Sequence, residues 1–84
     1  MNSIIMRRIV VTAEYQPLSA ARLVGSFEVS AVPTNAESVL FRGDDGSDVP
    51  WVSGEFHHLE SIDLACLFVK GTPGDAVTVV GGTW

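Results

Sequence analysis

A chain of 84 residues, 46% hydrophobic and 18% charged, has room for one globular domain and no second core, and its composition excludes a disordered chain. Its net charge of −5 argues against nucleic acid as the main ligand, because phosphate binding needs a basic surface. No apolar run approaches the roughly 18 residues of a membrane span.

The opening, MNSIIMRRIVV, carries its arginines after a short apolar patch, and no small-residue cleavage site follows. A signal peptide is therefore not expected, and the product is expected in the cytosol. The single cysteine, Cys66, allows no internal disulfide. Surface scaling gives a chain of this mass a folded surface of roughly 4,900 Å², a size at which one core is marginally self-sufficient. Partner subunits then become an expected source of stability. The charge is unevenly placed: through Arg42 four arginines face three glutamates, and beyond it seven acids face Lys70 alone. Such polarity suits complementary patches on a partner or a second copy, and equally a solvated acidic surface.

In chain order, residues 1–6 read as a short N-terminal arm and residues 7–14, RRIVVTAE, as a first strand. PLSAARL offers the single plausible helical turn, opened by Pro17 and followed by Ser19. In RLVGSFEVSAV, Leu23, Gly25, Phe27, Val29 and Ala31 alternate with Arg22, Val24, Ser26, Glu28 and Ser30, the pattern of a half-buried strand. SVLFR follows, then PWVS, where Pro50 suits a strand start or edge. EFHHL, ACLFVK and AVTVV complete the set, and residues 81–84, GGTW, read as a tail. Turn clusters separate these segments: VPTNAE, RGDDGSD, SGE and KGTPGD. The expectation is an all-β domain, a small antiparallel sandwich or barrel of about seven short strands.

The acidic run holding Asp44, Asp45 and Asp48 fails as a helix–loop–helix calcium loop. Glu55 falls at the twelfth position from Asp44, but Gly46 stands where a ligand is needed and the flanks are strands. Asp45-Gly46 reads instead as a hairpin turn. His57 and His58 are adjacent, so in a strand they leave opposite faces and cannot chelate one ion together. Cys66, among Leu64, Leu67 and Phe68, reads as a buried inert thiol. GTPGD lacks the lysine and the strand-to-helix context of a phosphate loop and reads as a type II turn centred on Pro73-Gly74. No serine sits in a nucleophile elbow. No catalytic residue, metal site or cofactor is expected. Trp84, behind Gly81 and Gly82, reads as an anchor that folds onto its own core or reaches a neighbour. With Trp51 and the arginines Arg7 and Arg8 it makes up the candidate interface set.

The order of these pieces resembles a group of small β-rich virion proteins encoded near the capsid genes of tailed bacteriophages. The resemblance rests on Pro17-Leu18-Ser19, on Val39 with Phe41 and Gly43, on Gly54-Glu55, on Asp63-Leu64, and on Gly74-Asp75 before AVTVV. It spans roughly residues 8–80. It implies a structural, non-enzymatic role such as capsid decoration or cementing, with a major capsid or other virion protein as partner and a homo-oligomer as the working form. It also implies a virion location after synthesis in the host cytoplasm, and it brings no catalytic residues. The alternative from composition alone is a carbohydrate-binding or other adhesion sandwich, which would need exposed aromatics on one face.

Overall fold

The computed structural model describes residues 3–83. Eight strands follow one another: β1 (Ser3–Val10), β2 (Gln16–Pro17), β3 (Val24–Ala31), β4 (Val39–Arg42), β5 (Val49–Trp51), β6 (Phe56–Asp63), β7 (Phe68–Lys70) and β8 (Ala76–Thr83). One 3-10 turn, Leu64–Cys66, lies between β6 and β7. The strands form two four-stranded sheets, in the orders β1-β8-β3-β6 and β2-β7-β4-β5, and every pairing is antiparallel. The chain is a small all-β sandwich with a surface of 4957 Å², close to the value expected from its mass.

The core lies between the sheets and follows from the alternation in β3. Phe27, Val29 and Ala31 are buried, and register sets them beside Gly81, Val79 and Val77 of β8. Val39 and Phe41 of β4, Val69 of β7, Trp51 of β5 and Leu64 close the core from the second sheet. A glycine in β8 is required at one point. A Cβ on Gly81 would lie 2.7 Å from Phe27 Cδ1 and 2.8 Å from Phe27 Cα. With the Ser26 carbonyl oxygen nearer still, the β3 backbone and the Phe27 ring together occupy the space that a side chain at position 81 would fill.

Turn chemistry closes the loops as read. Gly46, with φ +78, follows Asp45, whose Oδ1 accepts from the Ser47 N–H at 2.9 Å. This loop joins β4 to β5 as a hairpin. Gly74 has φ +99 and Asp75 donates its N–H to the Thr72 carbonyl at 3.0 Å, which is the positive φ at the third position that a type II turn needs. The buried Asp75 carboxylate accepts from Ala36 and Glu37 N–H groups at 3.0 and 3.2 Å. Asn35 exchanges two side-chain bonds, both 2.9 Å, with the backbone of Ala76. The VPTNAE loop is thereby tied to the start of β8.

Several expectations are corrected. The first strand begins at Ser3 and ends at Val10, so residues 3–6 of the expected arm are paired with β8, Met6 facing Val80. Residues 81–83 are likewise strand and not a loose tail, with Gly81 and Gly82 laddered on both sides. PLSAARL makes no helical turn. Gln16 and Pro17 pair with Val69 and Phe68 of β7, Leu18 donates its N–H to the Leu67 carbonyl at 2.9 Å, and Leu18 is buried. The short β2 raises the strand number from about seven to eight.

Candidate assembly interface

The two sheets treat their edges differently. In the second sheet, β2 has two residues including Pro17, and β5 has three with Pro50 at its centre. Proline cannot donate to a ladder, and short proline-bearing edges resist pairing with another chain. The first sheet ends on β1 and β6, each eight residues long and free of proline. About half of the backbone polar groups of β1 point away from β8.

The outer face of β1 is apolar at Ile4 and Met6, which are 83% and 71% exposed. Register explains Ile4: its partner on β8 is Gly82, which has no side chain to cover it. Met6 lies beside Val80, itself exposed. Arg8, on the same face, stands across from Thr78, while Arg7 projects from the opposite face beside Val79. Both arginines are exposed. Among the described residues neither has an ion-pair partner.

The β6 edge has the opposite character. Glu55 precedes it, and Glu60 and Asp63 lie within it. His57 and His58 leave opposite faces, as expected. His57 tilts against Trp51 at 4.6 Å between centroids and bonds Glu55 through Nε2 at 2.6 Å, whereas the His58 Nε2 lies 3.4 Å from Glu60. The hydrogen bond from His57, with a second from the Val52 N–H, holds the Glu55 carboxyl below its usual range. The register against β3 slips between Gly25 and Phe27, and Ser61 within this bulge has φ 54. Bulges bend an edge away from partners, so the straight part of β6 is residues 56–59. Its outer end carries Phe56, 62% exposed.

The sequence-derived interface residues divide. Arg7 and Arg8 lie on the open edge. Trp51 is 7% exposed and stacks on Phe41 at 3.9 Å, which makes it a core residue. Trp84 lies outside the described residues. Ile4, Met6 and Phe56 were not singled out from the sequence. The signal for the first two was present in the alternation Ile4, Met6, Arg8, Val10, one side of a strand that starts earlier than residue 7.

Elsewhere, Asp48 accepts from Arg42 Nη2 at 2.9 Å and from the Tyr15 hydroxyl. Arg42 and Lys70 lie 4.0 and 4.8 Å from the Tyr15 ring centroid. The acidic loop thus spends one aspartate on its own turn and one on this clamp. The Tyr15 hydroxyl is held above its usual pKa by burial, then by its bond to Asp48 and the charge of that carboxylate. Cys66 is exposed, which corrects the expected buried thiol. The 3-10 turn points Leu64 into the core and the residue two positions later outward. A shallow hollow of about 250 Å³ between Glu37, Leu40, Lys70 and Thr72 holds no converging set of polar groups beyond a 3.5 Å contact of Thr72 with Glu37. Among the described residues, no three of His, Cys, Asp or Glu come together to hold a metal ion, and no helix is long and apolar enough to cross a membrane.

The fold and its edges define a two-sheet antiparallel sandwich with one long, proline-free edge strand that is apolar at Ile4 and Met6. Comparison with family models, with curated proteins and with solved structures finds no match to this chain.

Proposed function

We propose that this protein is a non-enzymatic structural subunit that works by assembling, as a homo-oligomer or on a larger protein lattice. The observation that carries the proposal is the free β1 edge. Natural sandwiches cover or blunt such an edge, and here both edges of the second sheet are short and carry proline. β1 is covered at its end, where Gln16 Nε2 donates to the Val10 carbonyl at 2.8 Å, and leaves Ile4 and Met6 standing in solvent. The resemblance to small virion proteins of tailed bacteriophages supports a virion lattice, with capsid decoration or cementing as the role and the major capsid or another virion protein as partner. A carbohydrate-binding sandwich is less well supported. Trp51 is core, and Tyr15 is capped by Arg42 and Lys70, so among the described residues no aromatic platform faces solvent.

The test is to add purified protein to phage capsid shells that lack a decoration protein, then to follow co-sedimentation and heat resistance. Saturable co-sedimentation with a raised shell melting temperature is the expected result. A protein that stays in the supernatant at every concentration, and that remains a monomer by light scattering, would remove this reading.

A further inference from the structure

We infer that copies of this chain join head to tail, the β1 edge of one pairing antiparallel with the β6 edge of the next. The inference rests on the assembly reading and adds the occupant of the open edge.

Three observations lead to it. The first is directional. In the order β1-β8-β3-β6 with every neighbour antiparallel, β6 runs opposite to β1. A second copy in the same orientation therefore continues the sheet with antiparallel pairing and keeps the outer face outward.

The second is charge. The β1 edge carries Arg7 and Arg8 and no acid, and the β6 edge carries Glu55 and Glu60, while Asp63 at its far end is turned to the Leu23 and Ala65 N–H groups with Arg22 beside it. Two β1 edges meeting across a two-fold axis would bring four arginines to one seam, and two β6 edges would gather four carboxylates, Glu55 and Glu60 of each copy. Each edge thus repels its own kind and attracts the other, so the charges select the unlike pair.

The third is register. Side chains that stand opposite one another share a face. Setting Met6 beside Phe56 joins two exposed apolar groups on the outer face, and the same register brings Arg7 beside Glu55. It also uses residues 55–59, which precede the bulge at Ser61. The contact is heterologous, so it closes into a ring or continues as a filament instead of stopping at a dimer.

The test uses the full chain in sedimentation velocity and light scattering across a concentration series, with circular dichroism to confirm that each variant is folded. Wild-type protein is expected to form species larger than a dimer. Arg7→Glu alone and Glu55→Arg alone are each expected to weaken self-association at least about tenfold, and an equimolar mixture of the two should restore it. Because Glu55 also accepts the Val52 N–H, Phe56→Lys serves as an independent block of the β6 edge, with the same loss expected. An oligomer indifferent to Phe56→Lys and Glu55→Arg, or one that stops at a dimer, overturns the head-to-tail pairing and leaves assembly standing. A wild-type monomer throughout the series overturns the head-to-tail pairing, and it overturns the assembly reading as well if the protein also fails to co-sediment with capsid shells.

Discussion

Replacing Gly81 by alanine tests the packing of the first sheet where β8 meets Phe27. The added Cβ would sit 2.7 Å from Phe27 Cδ1 and 2.8 Å from Phe27 Cα, inside the distance that real Cβ atoms keep from their neighbours. The Ser26 carbonyl oxygen would be nearer still, so two of the three close atoms are backbone, and with Phe27 fully buried a rotamer change cannot clear the space. Overpacking of this kind costs about 1–3 kcal/mol. Alanine restricts the unfolded chain more than glycine does and returns about 0.5–1 kcal/mol. The net loss of about 1–2 kcal/mol corresponds to a melting temperature lower by about 5–15 °C for a domain of this size. The control is Gly43→Ala, where no atom lies within 4 Å of the new Cβ and no positive φ is required. That variant should melt at or slightly above the wild-type temperature. Thermal denaturation followed by circular dichroism reads both. If Gly81→Ala melts within about 2 °C of wild type, the close approach of Phe27 to β8 is not what places glycine there.

Asp63 accepts N–H bonds from Leu23 and Ala65 at 3.0 and 2.9 Å, and these bonds, aided by Arg22, hold its carboxyl below the usual range. Its folded pKa lies below its unfolded value of about 3.9, so its contribution is full above about pH 4 and is lost as pH falls through the folded value. Asp63→Ala should lower the melting temperature at pH 7 and flatten its decline below pH 4, and an unchanged acid limb would exclude this role. Cys66, exposed on its 3-10 turn, should react with a thiol reagent in the native protein at close to the rate seen in denaturant. Strong protection in the native state would contradict the placement of that turn.

Much of the sandwich was legible because its signals are local. The period-two alternation from Leu23 to Ala31 needs no knowledge of the rest of the chain, and the turns at Asp45-Gly46 and Pro73-Gly74 are set by residues that tolerate or fix their own φ. What was missed depends on distant partners. Gly81 and Gly82 look like a hinge in the sequence, and only the Phe27 ring, far away along the chain, shows that they are a packing site. Pro17 to Leu23 satisfies a helical turn locally, but β7 competes for the same backbone and wins through pairing with Gln16 and Pro17 and burial of Leu18. Cys66 sits in an apolar neighbourhood of sequence, yet a 3-10 turn changes which side chains point inward. The interface was half legible. The arginines drew attention by charge, while Ile4 and Met6 gained meaning from a neighbouring glycine and from the blunting of the other edges.

The pairing of β1 with β8 joins the first described element to the last, and this orders events during synthesis. On the ribosome β1 emerges well before β8, and its ladder is incomplete until Thr83 has been made. Over that interval the segment from Ile4 to Val10 is apolar, β-prone and without its intramolecular partner on either side. Pairings between residues so far apart in sequence also close slowly, because the loop between them must be ordered first. Arg7 and Arg8 sit in the middle of this segment. Their charge lets them act there as gatekeepers, keeping the waiting strands of neighbouring nascent chains from finding one another.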